Sequence, residues 1–310
     1  MVVVMTEAIV RRLLIDLETP PARHWCGGDA FRTAWFNALS MSFPSGEQFF
    51  IDAVKAGVQT LLEERPQAAN TPPPPEGVES SGKATLTQAE RARFEGAVKA
   101  FIGQEATHRR IHALFNAHLA ARGLVNHWEA RALRRMRVFE GKDVRGPVGA
   151  TAATEHLTSI LAEYLLGDPW SLEGAEPRFV TMWLWHASEE TEHRATAFDV
   201  YRALGGNEMW RLRFFRVVTT LFVIDSLRQT INNLWHDGTL WRWSTWTSGW
   251  RLLFGRRGVI RTLAGPWRRY RRADFHPGQQ DASRALAWLR EHATQFEVVS
   301  RPMASAGAVA

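Results

Sequence analysis

Two stretches decide the fold of this chain: FIGQEATH at residues 101–108 and WLWHASEETEH at residues 183–193. Each contains the pattern Glu-x-x-His, as Glu105 and His108 in the first stretch and as Glu190 and His193 in the second. Residues three apart on a helix lie about 60° apart in projection, so each pair can direct a carboxylate and an imidazole to one point. Apolar neighbours flank both pairs, and charges on apolar faces are costly without partners. The repeated pattern therefore predicts a metal site between helices of a bundle.

Three more residues complete the predicted site. Di-metal carboxylate sites in helical bundles take one further glutamate from each of two other helices, and Glu47 and Glu155 are the candidates. His186 precedes Glu190 by four residues and therefore lies in the same sector of its helix, roughly 60° wide together with His193. The predicted metal ligands are Glu47, Glu105, His108, Glu155, His186, Glu190 and His193, and the four glutamates among them are also the predicted catalytic residues.

The chemistry of this ligand set indicates the metal. Four carboxylates and three neutral imidazoles nearly balance the charge of two ferrous ions, and mixed nitrogen and oxygen ligation suits iron or manganese. The chain has one cysteine, Cys26, which argues against a thiolate zinc site and allows no intramolecular disulfide. Two iron ions, with manganese as the alternative, are the predicted cofactor.

Neighbouring residues leave alternatives open. Glu189 and Glu192 point about 100° and 200° away from Glu190, so we expect them to face solvent or to make outer contacts with the ligands. His156 should turn away from the site. His112 lies one turn beyond His108 and is expected to be a satisfied core histidine, with an outer contact to the site as the alternative. Glu129 competes with Glu155 for the third-helix position.

The periodicity of apolar residues predicts an all-α fold with a four-helix bundle and additional C-terminal helices. The main helices are expected at 45–64, 88–122, 148–166 and 176–204, with shorter ones at 128–139 and 282–292. Pro44 and Ser45 mark the start of the first, and Thr87 with Glu90 forms a capping box for the second. The predicted domains are an irregular lead-in at 1–44, the di-metal bundle at 45–206 with a proline-rich linker at 65–86, and a helical extension at 207–310.

The extension has an unusual composition. Between Trp210 and Phe275 there are 13 arginines, three aspartates, and no lysine or glutamate, which gives 13 − 3 = +10, whereas the whole chain carries +6. Half of the 14 tryptophans lie in the same range. Such a segment could lie on an anionic membrane surface, and phosphate-mediated nucleic-acid binding is less favoured. Helices packed against the bundle, with arginine stems covering apolar surface, are the simpler interpretation. A homodimer is a further hypothesis.

The N-terminal residues MVVVMTEAIV contain a short apolar run with no basic segment before it, unlike a secretory signal. The longest other apolar run, at 217–224, is too short to span a membrane. A cytoplasmic location, with peripheral contact to a membrane as an option, is the resulting expectation.

Several motifs resemble the bacterial family of predicted metal-dependent hydrolases: RHWCGGD at 23–29, NALSMSFPSGEQFF at 37–50, FIGQEATH at 101–108, ATEH at 153–156 and LWHASEETEHRATAFDVY at 184–201. The resemblance runs from about Arg23 to FHPG at 275–278 and implies metal-dependent hydrolysis. The ligand spacing alone is also similar to that of the di-iron arylamine N-oxygenases, whose ferritin-like site carries one additional histidine. That similarity implies a ferritin-like bundle and dioxygen chemistry, without implying an arylamine substrate.

Three functions follow as hypotheses. The favoured one is an oxygen-dependent oxidation of a small or apolar organic substrate, because helical carboxylate sites with this ligand pattern resemble oxygen-activating enzymes. The alternative is hydrolysis by a water molecule activated between two metals. Iron storage is a lesser alternative, since about a hundred residues follow the last ligand helix.

Overall fold

The computed structural model describes residues 8–63 and 87–300, and this part of the chain is almost entirely helical. Its helices are α1 Ala30–Glu63, α2 Gln88–Ala121, α3 His127–Met136, α4 Arg145–Gly167, α5 Pro177–His193, α6 Thr196–Ala203, α7 Glu208–His236, α8 Trp243–Phe254, α9 Val259–Arg269 and α10 Ser283–Glu291. Two short strands, β1 Val10–Leu13 and β2 Phe296–Ser300, pair antiparallel. The all-α prediction is confirmed.

Helices α1, α2, α4 and α5 surround the predicted ligands, with α1 packed against α2 and α4, and α4 packed against α5. Two apolar clusters hold the bundle together. One contains Trp25, Phe36, Phe115, Phe179 and Trp185, and the other contains Phe50, Val54, Phe101, Ile160 and Phe198. Each fully buried side chain of this size contributes roughly 1.5–3 kcal/mol. Because Trp185 contacts the ring of His108 and Phe101 contacts that of His193, the two clusters meet at the predicted site.

The first helix begins at Ala30 rather than at Ser45, so the prediction of an irregular lead-in up to Pro44 is wrong. A proline inside a helix removes the hydrogen bond to the carbonyl four residues earlier, which here belongs to Ser40. Asn116 on α2 donates its side-chain amide to that carbonyl at 2.9 Å. Asn126 does the same for the carbonyl of Met41 at 2.8 Å. These two contacts allow α1 to continue through Pro44.

The N-terminal residues contain a further element that the sequence pattern did not indicate. In β1, Arg12 pairs with Glu297 of β2, so the two ends of the described chain are joined in one small sheet. The division of the chain into domains at 1–44, 45–206 and 207–310 stays a prediction. The proline-rich linker at 65–86 lies outside the described residues, as does the end of the chain after Ser300.

The second bundle helix agrees with its prediction, while the fourth is interrupted. Thr87 and Glu90 form the expected capping box, and Gly123 follows α2 with a φ of 84°, which favours glycine. The helix expected at 176–204 starts with Pro177 but ends at His193, and α6 follows after Arg194 and Ala195. Buried Arg194 donates Nε to the carbonyl of Pro277 at 3.0 Å, and this tie to the C-terminal segment lies at the interruption.

The predicted extension consists of helices packed on the bundle. Helix α7 packs against α1 and α4, α9 packs against α4, and α10 packs against α5, at the position where the amphipathic helix 282–292 was expected. Within residues 8–63 and 87–300, no helix is long and apolar enough to cross a membrane.

Candidate metal centre

The seven predicted ligands lie together in the middle of the bundle, and each of the four helices supplies at least one. Glu47 comes from α1, Glu105 and His108 from α2, and Glu155 from α4. Helix α5 supplies His186, Glu190 and His193. All seven side chains are buried. Because α1 extends through Pro44, Glu47 lies within a long helix rather than in a first turn.

Short distances join the ligand atoms. His193 Nε2 lies 2.9 Å from Glu105 Oε1, 3.3 Å from Glu155 Oε2 and 3.7 Å from Glu190 Oε1. His108 Nδ1 lies 3.7 Å from Glu190 Oε1. His186 Nε2 lies 3.0 Å from the same Glu190 oxygen. Nitrogen and oxygen ligand atoms thus converge from three helices on a common space.

The possible ligand atoms form four overlapping groups of three residues, and two of these groups share no residue and include only predicted ligands. Glu105, Glu155 and His193 form one group, and His108, His186 and Glu190 form the other, with the ligand atoms of each within 4.8 Å of one another. Glu47 belongs to the other two groups, one with Glu105 and His108 and one with His112 and His186. Two separate three-residue groups with one additional carboxylate fit a centre of two metal ions.

Many of these buried atoms have no hydrogen-bond partner, which is unusual for polar groups in a protein interior. The unpartnered atoms are both carboxylate oxygens of Glu47, Glu105 and Glu155, Oε2 of Glu190, Nδ1 of His108 and Nε2 of His193. Even the 2.9 Å approach of His193 Nε2 to Glu105 is not aligned as a hydrogen bond. Each unsatisfied buried carboxylate costs several kcal/mol unless a cation compensates it. The donor set therefore fits metal ions.

Burial also changes the protonation of the carboxylates. Loss of hydration raises the pKa of Glu155 to about 8, and the negative charge of Glu190 adds to this effect. Loss of hydration and the charge of Glu105 place the pKa of Glu47 well above its usual range. Burial alone would raise the pKa of Glu190 too, but the nearby imidazoles of His186 and His193 hold the pKa well below its usual range. Without cations, protons must therefore be shared among these groups.

A chain of hydrogen bonds fixes the tautomer of His186. Asn116 uses its amide nitrogen to bind the carbonyl of Ser40, so its oxygen accepts from Ser40 Oγ at 2.8 Å. Ser40 Oγ must then accept from His112 Nδ1 at 2.9 Å, and His112 Nε2 must accept from His186 Nδ1 at 2.7 Å. This leaves a lone pair on His186 Nε2, directed at Glu190. Two acceptors facing each other need a cation or a proton between them.

The other two histidines are oriented in the same way, with one ring nitrogen bonded outside the centre and the other free. His193 Nδ1 donates to Gln104 Oε1 at 2.9 Å, and His108 Nε2 donates to Glu189 Oε2 at 3.0 Å. Partners of this kind fix ring orientation and increase the basicity of metal-binding histidines.

Arg11 of β1 links these outer contacts. Its guanidinium binds Glu189 at 3.1 Å and Glu192 at 2.7 Å, and Gln104 Nε2 donates to Glu192 at 2.8 Å. No local sequence pattern points to Arg11, because its strand pairs with a strand near residue 300. Glu189 and Glu192 are buried, so the expectation that they face solvent is wrong and the alternative of outer contacts is confirmed.

The remaining candidates lie elsewhere. Glu129 accepts a hydrogen bond from Ser45 and belongs to none of the ligand groups found among the described residues. His156 turns away as expected, and its ring stacks on Tyr270 at 4.5 Å. His112 is buried and holds His186, so the outer-contact alternative applies to it.

A narrow apolar cavity of about 40 Å³ reaches the centre at His186 and Glu190. Its walls come from α1, α4, α5, α7, α8 and α9 and include Trp35, Phe36, Leu39, Phe43, Leu161, Tyr164, Trp183, Phe222, Leu252 and Val259. It gives the metal centre a mainly hydrophobic approach.

Comparison with known proteins supplies the family. The family model described as predicted metal-dependent hydrolase matches residues 9–69 and 77–281, which is most of the chain. The chain belongs to the family of predicted metal-dependent hydrolases. No curated protein and no solved structure matches it. Membership in this hydrolase family fits the hydrolytic hypothesis better than the favoured oxidative one. Iron as the metal and a ferritin-like fold stay predictions.

Proposed function

We propose that this member of the predicted metal-dependent hydrolases uses two metal ions in the bundle to hydrolyse a small or apolar organic substrate. The observation that carries the proposal is the set of buried, unpartnered carboxylate and imidazole atoms from four helices. A polar core whose groups are all hydrogen-bonded to one another needs no cation. Buried carboxylates without partners do need one, because nothing else compensates their charge.

The two three-residue groups would each hold one ion, and Glu47 would lie close to both. When bound, a pair of such ions lowers the pKa of a coordinated water and stabilises negative charge on a substrate oxygen. Mixed nitrogen and oxygen ligation is compatible with iron, manganese or zinc. Hydrolysis of an ester or amide adds the elements of water across the bond that is cleaved and needs no other reactant.

The chain's own residues supply orientation and proton transfer. The carboxylate of Glu47 forms no hydrogen bond with another described residue, so an oxygen of this carboxylate that is not bound to a metal ion could accept a proton and pass it to a leaving group. Hydrogen bonds to His112, Gln104 and Glu189 keep the three imidazoles in the tautomer that binds metal. The apolar walls of the cavity keep bulk water away from the centre and would face the hydrophobic part of a substrate that approaches it.

The oxidative alternative rests on one specific observation. Three histidines and four carboxylates meet at the end of a narrow apolar cavity, which suits dioxygen and a hydrophobic substrate as well as it suits an ester. Iron storage fits less well, because a cavity of about 40 Å³ has no room for an iron mineral.

A metal-reconstitution assay tests the proposal. Metal-free protein is loaded under nitrogen with Mn²⁺, Zn²⁺ or Fe²⁺, and the cleavage of apolar esters and amides is followed together with bound metal. We expect metal-dependent cleavage that Glu155→Gln abolishes. Glu163→Gln, a change of the same kind on the same helix but outside the ligand groups, should keep the activity.

The result that would reverse the proposal is equally specific. Iron-loaded protein that consumes oxygen on exposure to air, while no loaded form cleaves any ester or amide, would favour the oxidative function. If the protein takes up none of Mn²⁺, Zn²⁺ and Fe²⁺, both the hydrolytic and the oxidative function are excluded.

A further inference from the structure

Strongly exposed tryptophans lie on α8 and on the turn before it. Trp241, Trp243 and Trp250 are 83%, 81% and 66% exposed. With 100° per residue, the exposed aromatic side chains of α8 fall within a sector about 80° wide. We call this set the tryptophan patch, and it consists of Trp241, Trp243, Trp246, Trp250 and Phe254.

The opposite side of α8 faces the core. Thr245, Gly249 and Leu252 are buried there, and Leu252 lines the cavity that reaches His186 and Glu190. Helix α8 is therefore apolar on two opposite sides, and only the side with Leu252 packs against the core. The tryptophan patch and the cavity that leads to the metal centre therefore lie on opposite sides of α8.

Trp246 is the member of the patch that is tied to the fold, because it donates Nε1 to the carbonyl of Leu240 at 2.7 Å and its ring contacts Phe31. The side chains of Trp241 and Trp243 form neither a hydrogen bond nor a ring contact with any residue of the described ranges. Exposed apolar patches of this kind mark interaction surfaces.

The surrounding charge selects the partner. Residues 238–273 contain nine arginines and no lysine, aspartate or glutamate. Arg242, Arg251 and Arg256 are exposed and form no ion pair with a residue that the structure describes. A second copy seated on this face would oppose like charges, which disfavours self-association. An anionic surface with an apolar interior satisfies both the arginines and the rings.

We propose that the tryptophan patch docks the protein on membrane surfaces that contain anionic phospholipid. Tryptophan rings prefer the headgroup level of a bilayer, and each nearby arginine adds electrostatic attraction. Docking would place the cavity behind α8 next to lipid. In combination with the hydrolase function proposed above, on which this step rests, the substrate class is an ester or amide with a lipid-like chain.

Vesicle co-sedimentation tests the docking without any assay of activity. The full-length protein is mixed at low salt with vesicles of phosphatidylglycerol and phosphatidylcholine, and with vesicles of phosphatidylcholine alone. We expect binding to the first that weakens as salt is added. The double variant Trp243→Ala/Trp250→Ala should lose most of the binding, and Arg242→Gln/Arg251→Gln should reduce the partition coefficient about tenfold or more.

Matched controls are available on the same chain. Leu133→Ala/Val138→Ala removes exposed apolar side chains outside the patch, and Lys99→Gln/Arg110→Gln removes two exposed charges. Both should bind vesicles like the unaltered protein. Circular dichroism and metal content check that the variants are folded.

Three results would overturn the proposal: no binding to anionic vesicles at low salt, equal binding by the patch variants and the unaltered protein, or a patch-dependent complex with single-stranded nucleic acid or a second copy in place of vesicles. Vesicle binding by a protein that hydrolyses nothing would support the docking and reject only the hydrolase function.

Discussion

Arg11 lies outside the candidate metal centre but contacts the residues that orient its histidines. It holds Glu189, the hydrogen-bond acceptor of His108, and Glu192, the partner of Gln104. Replacing it by methionine keeps much of the volume but leaves two buried carboxylates without their cation. We expect Arg11→Met to weaken metal binding about 10- to 100-fold, measured by competition with a coloured chelator.

The neighbouring Arg12 provides the control for this experiment. It lies on the same strand, is 57% exposed and pairs with Glu297. Arg12→Met should leave the metal affinity unchanged. Equal affinities of the Arg11 and Arg12 variants would show that the outer contacts do not tune the centre.

Cys26 is expected to be chemically inert in the folded protein. It is fully buried, its thiol donates to the carbonyl of Ser171 at 3.3 Å, and burial raises its pKa to about 12. The reactive thiolate is therefore absent up to pH values far above neutrality. Thiol titration at pH 8 should detect no reaction in the folded protein and one reactive thiol after denaturation; rapid reaction of the folded form would contradict the burial.

At the scale of helices, Gly57 sets how closely α1 approaches its neighbours. A Cβ atom at this position would lie 2.8 Å from Val200 Cγ1 and 2.9 Å from Val148 Cγ2. Gly57→Ala should lower the free energy of unfolding by about 1–3 kcal/mol through overpacking, measured by denaturant titration. Gly96 on α2 has open space around it, so Gly96→Ala should raise the stability by about 0.5–1 kcal/mol. Similar changes in the free energy of unfolding for Gly57→Ala and Gly96→Ala would contradict the close packing of α1 at Gly57.

Helix boundaries show where sequence reasoning succeeds and where it fails. The capping box at Thr87 is a local signal, and α2 begins where it predicts. Pro44 is also a local signal, but its effect is cancelled by Asn116 on another helix, which no periodicity reveals. Glu47 was correctly placed on a helix although the start of that helix was predicted fifteen residues too late.

The same distinction applies to the site. The ligands at i, i+4 and i+7 on α5 follow from helical geometry alone, so the sequence predicts them. Arg11 and Ser40 come from distant parts of the chain, and their contacts depend on how the helices and the strands are arranged in space. The hydrogen-bond chain from Asn116 to His186 likewise involves three different helices, α1, α2 and α5.

At the scale of the whole molecule, the metal centre is a cost to the bundle until cations bind. Four buried carboxylates must be desolvated on folding. Cations bound by the two ligand groups would compensate this desolvation cost. Metal present at about 100 times its dissociation constant should add about 2.7 kcal/mol per ion. Calorimetry should show a melting temperature higher by several degrees in the loaded protein, and no difference after chelation would exclude a folded-state metal site.

The variant Glu155→Gln separates the cost of burying a carboxylate from the stabilisation that bound metal supplies. In the metal-free protein the pKa of Glu155 is about 8 when folded and about 4.5 when unfolded, so unfolding releases a proton between these values and stability falls as pH rises. The glutamine cannot ionise, so the metal-free variant should be more stable than the parent, by more at pH 8 than at pH 5. In the presence of metal the order should reverse, because a ligand has been lost. Glu163→Gln should behave alike with and without metal; a Glu155 variant that is destabilised in both states would show that the carboxylate stabilises the bundle without a cation.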